Sequence, residues 1–167
     1  VQNDWLSYYL LWFSNDGGQS WTSKTTAKGK EIACDHAQLA SLDSTGKLWA
    51  TWEQGGQIWV NRTTTSDAAW GTPFVLPAAS SVDGDDVSSL IAFGGNKIGL
   101  LWSDQDASAD RFAIHTDGQP DTTWSAAETA LSGSGVADDH INLKTDASGR
   151  VFAVVKTSTD PQITFLV

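Results

Sequence analysis

A repeat of about fifty residues constrains this chain more than any other feature. Three segments open alike: Asp35-His36-Ala37-Gln38-Leu39, Asp85-Asp86-Val87-Ser88-Ser89-Leu90 and Asp138-Asp139-His140-Ile141-Asn142-Leu143. Their leading aspartates are 50 and 53 residues apart. Trp21, Trp70 and Trp124 repeat on nearly the same beat, at offsets of 49 and 54. Between these landmarks lie short apolar runs of alternating character, separated by Gly, Asn and Asp turn signals, and no helical period is visible. A repeat of this length with several short strands per unit matches the four-stranded blade of a β-propeller. The expected fold is therefore all-β: a partial propeller of about three four-stranded antiparallel blades. Residues 1–31 read as the end of a blade, 35–77 and 85–131 as two blades, and 138–167 as an incomplete fourth unit. Such a ring needs further blades or self-association to close, because unpaired edge strands are otherwise left exposed.

The first turn is the most distinctive stretch. Ser14-Asn15-Asp16-Gly17-Gly18-Gln19-Ser20-Trp21 follows the apolar run Tyr8–Phe13. The glycines supply backbone conformations with positive φ, and the Asp16 carboxylate and Ser14 hydroxyl can accept hydrogen bonds from amides of their own turn. Trp21 is expected to bury its face where the chain returns. With Ser14, Asp16, Gly18 and Trp21 in place, the stretch resembles the Asp-box, or BNR repeat, of sialidase-like β-propellers. That resemblance implies a structural role for the box, on the face away from the active site. It also implies that the loops entering first strands, and those joining second to third strands, share the functional face.

On that face the entry loops hold Asp35 and His36, then Asp83, Asp85 and Asp86, then Asp138, Asp139 and His140; the joining loops hold Glu53, then a long acidic loop Asp104–Asp110 with Arg111, then Lys156 and Asp160. A leading Asp before a strand can simply cap its own turn, so the second position of each repeat is the better candidate. Strand alternation sets His140, Asn142 and Lys144 on one face. The candidate ligand-binding residues are therefore His36, Asp86, Asp139, His140, Asn142, Lys144 and Lys156, which could equally line a wet channel. Several carboxylates around one axis could hydrogen-bond sugar hydroxyls, hold a hard cation such as Ca²⁺, or hydrolyse a glycosidic bond if two stand at the right separation. No cofactor is otherwise implied. The resemblance stops short of sialidase chemistry: there is no Arg-Ile-Pro motif, Arg62, Arg111 and Arg150 are the only arginines, and no catalytic residue is carried over.

Composition narrows the partners. Twenty acids, seventeen of them Asp, against ten Lys and Arg give a net charge of −10. Nucleic acid and anionic membranes both require basic surface, so neither is expected. Cys34 is the single cysteine and excludes an internal disulfide. The chain has no Met and reads as an excised or mature piece. Its Trp, Asn, Ser and Thr content suits an exported carbohydrate-active protein, and Asn61-Arg62-Thr63 is a glycosylation sequon by pattern. The leading expectation is an extracellular carbohydrate-binding or carbohydrate-processing propeller; the alternative is a non-enzymatic scaffold.

Overall fold

The computed structural model describes residues 12–23, 37–39, 42–157 and 163–167. Every regular element in them is a strand. In chain order these are β1 (Trp12–Phe13), β2 (Thr22–Ser23), β3 (Ala37–Leu39), β4 (Trp49–Glu53), β5 (Ile58–Arg62), β6 (Phe74–Val75), β7 (Ser88–Phe93), β8 (Lys97–Asp104), β9 (Ala109–Thr116), β10 (Glu128–Ser132), β11 (Ile141–Thr145), β12 (Val151–Lys156) and β13 (Ile163–Leu166). They pair antiparallel, each with its sequence neighbour, into a β1-β2 hairpin, two four-stranded sheets (β3 to β6 and β7 to β10) and a three-stranded sheet (β11 to β13). The partial β-propeller expected from the repeat is the fold observed.

The sheets stack face to face. Strand β8 shows how, because its alternate side chains serve two different cores. Ile98, Leu100 and Trp102 point to the first, with Trp49, Ile58, Val60 and Leu76 of the preceding sheet. Leu101 points to the second, with Ile141, Ala153 and Val155 of the following sheet. A strand buried on both faces loses the polar-out alternation of a one-sided sheet, and seven of the eight β8 residues are buried. The first strand β7 lies against β3, β4 and β11, so inner strands of successive sheets converge, as in blades around an axis.

Turn chemistry fixes the ends. The hairpin joining β3 to β4 runs through Asp43-Ser44-Thr45-Gly46, and that joining β11 to β12 through Asp146-Ala147-Ser148-Gly149. Asp43 Oδ1 accepts from the amides of Thr45 and Lys47, and Asp146 Oδ1 from those of Ser148 and Arg150. Gly46 (φ 78°) and Gly149 (φ 84°) occupy the left-handed position that closes each turn.

The Ser14–Trp21 turn is built as its residues suggest. Asp16 Oδ1 accepts from the Gln19 and Ser20 amides, both at 3.0 Å, and Ser14 Oγ accepts from Gly18 N at 2.8 Å. Hydrogen bonds to Asp16 from the Ser20 hydroxyl first, then the Ser20 amide and the Ser14 hydroxyl, hold its carboxyl far below the ordinary carboxylate range. Trp21 departs from expectation: it is 60% exposed, its indole N–H closing the turn onto Gly18 O at 3.2 Å. Trp124 repeats that bond, to Asp121 O three residues back at 3.0 Å, and packs edge-on against Trp49.

Two further expectations change. The acidic segment Asp104–Asp110 is not a long loop: β8 and β9 extend to a four-residue turn, Gln105–Ser108, and Asp104 and Asp110 lie buried on the strands. The sequon is sealed inside, with Asn61 only 1% exposed.

Candidate functional site

Antiparallel connectivity sends the hairpins at Asp43 and Asp146 to one end of the sheets and the β4–β5 and β8–β9 turns to the other. The entry loops join that second end: Val82 N donates to Gly56 O and Gly133 N to Ser108 O. Three of the expected residues converge there. Asp139 and His140 arrive at the start of β11 and Lys156 at the end of β12, and Lys156 N donates to His140 O at 3.1 Å.

Their side chains form one cluster, with Asp138 as its fourth member. His140 Nδ1 lies 2.5 Å from Asp139 Oδ1. Lys156 Nζ lies 3.2 Å from Asp138 and 3.4 Å from Asp139. Asp138 Oδ1 also accepts from the Asp139 amide at 2.7 Å. Hydrogen bonding to Asp138 first, then to His140, pulls the Asp139 carboxyl far below its ordinary value. The same carboxylates raise the Lys156 ammonium above its usual range. His140 is the open side of the cluster, its side chain 69% exposed. Asn142 and Lys144 continue along β11 on the exposed face, while Ile141 and Leu143 turn into the second core.

The arrangement has limits that chemistry sets. One ligand atom from each of Asp138, Asp139 and His140 falls within 4.8 Å of the others. Lys156 bridges the two carboxylates, so as they stand neither is free to act as acid or nucleophile on a glycosidic bond. The same three groups have the donor chemistry for a cation, but the lysine ammonium already balances part of their charge.

The second sheet uses its acids differently. Asp86 is 2% exposed; Oδ2 takes the Asp83 amide at 2.8 Å, and the carboxylate reaches the Gln105 amide. It ties the entry loop to the β8–β9 turn and does not face a ligand. Glu53 is likewise buried, accepting from Gly56 N at 2.7 Å. Asp83 stays at the surface, where repulsion from Asp106 first, then Asp86 and Asp85, raises its carboxyl. Asp110 was not singled out from the sequence: it is fully buried, neither oxygen has a hydrogen-bond partner, and burial together with Asp86 pushes its carboxyl up to about 7. His36, Asp35 and Cys34 lie outside the described residues.

The chain thus belongs to the class of partial β-propellers with a charged cluster at the entry-loop end. No protein-family model matches it, and no curated protein does. A solved structure does: the endo-arabinase from Bacteroides thetaiotaomicron VPI-5482, at 20% sequence identity and a TM-score of 0.51, with 95% of this chain and 68% of that chain covered. At that identity the likeness is one of fold.

Proposed function

We propose that the chain is part of an extracellular carbohydrate-binding propeller, sialidase-like in its Asp-box turn, whose ligand face is the Asp138-Asp139-His140-Lys156 end. One observation carries this reading: repeat position, strand register and side-chain contacts bring two half-buried carboxylates, an exposed imidazole and an ammonium into one cluster. Carboxylates and an imidazole at hydrogen-bond spacing are suited to sugar hydroxyls, and Asn142 extends the polar strip. The fold likeness to an endo-arabinase is consistent with a carbohydrate ligand and makes arabino-oligosaccharides the first probe. Residues 1–31, 35–77, 85–131 and 138–167 are read as successive blades or parts of them, in a ring completed by further blades or a second copy.

The Lys156 bridge across Asp138 and Asp139 favours binding over hydrolysis by that pair. The test is calorimetric titration with arabino-oligosaccharides, alongside reducing-sugar release. Saturable binding that is lost in the double variant Asp139→Ala/His140→Ala, with no sugar released, supports the reading. Binding that persists in that variant, or no binding at all, overturns it. Titration with Ca²⁺ before and after chelation separates a cation-held module from a sugar site, since a bound ion stabilises according to its saturation.

A further inference from the structure

At the opposite end of the sheets, three hairpin turns border an open cavity of about 460 Å³. One turn from each of three sheets contributes: Leu42 and Ser44, then Phe93 to Lys97, then Asp146 to Gly149. The turns are packed closely, a Cβ on Gly149 falling 3.2 Å from Gly94 Cα. The volume is within the range of small-molecule sites, roughly 300–1,000 Å³.

The wall's hydrogen-bonding capacity is one-sided. Its two carboxylates are consumed by their own surroundings. Asp43 accepts from the Thr45 and Lys47 amides, the Thr45 hydroxyl, the Trp49 indole and Arg62. Asp146 accepts from the Ser148 and Arg150 amides, the Ser148 hydroxyl and the Arg150 guanidinium. The arginines at this end are neutralised in the same bonds. Asp117, just beyond the strand paired with Lys97, gives Oδ2 to the Ser44 amide and hydroxyl, while its Oδ1 is buried away from the cavity surface without a hydrogen-bond partner. Lys97 remains: among the described residues its ammonium has no ion pair, and it sits 5.8 Å from the centre of the Phe93 ring. Beside it stand the Asn96 side chain and the apolar surfaces of Leu42 and Phe93.

We propose that this cavity is a second binding site, separate from the Asp139–His140 cluster, for a small carboxylate-bearing molecule whose ring or apolar body rests on Leu42 and Phe93 while its carboxylate meets Lys97. Lys97 is exposed, so its pull on a carboxylate is the modest one of a surface charge, and contact of the ligand's apolar body with Leu42 and Phe93 supplies the rest. A neutral sugar has no charge to meet the Lys97 ammonium, and a cation finds the Asp43 and Asp146 carboxylates already occupied.

The experiment is heteronuclear NMR titration of the intact chain with glucuronate, benzoate and glucose. Glucuronate and benzoate are expected to shift the Gly94, Gly95 and Asn96 amides saturably in the millimolar range, and glucose not to. Lys97→Met is expected to weaken carboxylate binding at least tenfold, Lys97→Arg to retain it, and Lys144→Met to leave it unchanged. The Asp139→Ala/His140→Ala double variant is also expected to bind unchanged, which separates this site from the proposed sugar face. Equal binding of glucose and glucuronate, unchanged affinity in a folded Lys97→Met protein, or no saturable shift at all would each overturn the proposal.

Discussion

The Phe112 ring occupies the space where residue 99 would carry a side chain. A Cβ built on Gly99 falls 2.4 Å from Phe112 Cζ and 2.8 Å from Cε2. Both residues sit mid-strand, β8 against β9, and Phe93 crowds the same point at 3.2 Å. The absent side chain is therefore what lets an aromatic lie flat on the sheet and pack against the second core.

Gly99→Ala is expected to force the Phe112 ring from its place and lower stability by about 1–3 kcal/mol, the usual range for overpacking. Urea unfolding measures it. In the Gly99→Ala/Phe112→Leu double variant, part of that loss should return, because the smaller side chain leaves room for the methyl. Strictly additive losses would show that the ring is not the obstacle.

Asp43 is expected to be the costliest turn aspartate to remove. Burial alone would raise its carboxyl, but bonds from the Lys47 amide, the Trp49 indole and Thr45 outweigh this and hold it below its ordinary value. Its Oδ2 also takes Arg62 Nε at 3.0 Å, and Arg62 reaches on to Asp121 at 2.6 Å, linking two sheets. Asp43→Ala leaves the indole and the guanidinium without that acceptor, for a loss of about 3 kcal/mol. Asp146→Ala, in the matching but more exposed turn, should cost far less. A lowered folded-state value means that Asp43 contributes its stability above about pH 4 and loses it as pH falls below that. Thermal melts from pH 6 down to 2 should show wild type and Asp43→Ala converging.

Asp110 should act in the opposite direction. Its carboxyl titrates at about 7 when folded and near 4 when unfolded. The folded state thus holds the extra proton between those values, and stability falls as pH rises through them. Asp110→Asn removes the titration. The stability of the variant relative to wild type should climb by about 1.4 kcal/mol per pH unit between pH 4 and 7 and then level off. Denaturant unfolding at several pH values checks it; a difference independent of pH would mean that Asp110 is not the group responsible.

The architecture was legible because it rests on local signals. Turn glycines and aspartates punctuate the chain at regular intervals, and alternation along His140-Ile141-Asn142-Leu143-Lys144 separates an exposed face from a buried one, as observed in β11. The acids were harder to read. Asp86, Asp104 and Asp110 look like surface loop residues in a segment crowded with Asp, yet β8 and β9 run through Asp104 and Asp110, Asp86 is drawn in by the Asp83 and Gln105 amides, and all three are buried. Their burial depends on neighbours that one-dimensional pattern does not contain. The Asp43–Arg62–Asp121 link was hidden for the same reason, its bonds spanning 19 and 59 positions. In the candidate site, Asp139, His140 and Lys156 were found by repeat position and strand ends. Asp138 was set aside as a turn cap and proves to be both a cap and an ion-pair partner of Lys156.

Strand β8, with alternate residues committed to opposite cores, makes its sheet a party wall. Neither adjoining room can be emptied without stripping one side of it. Heat or denaturant should therefore bring down the two cores together, in a single sharp transition, and damage at Leu101 should be felt by Trp49 although the two sit on opposite sides of the masonry.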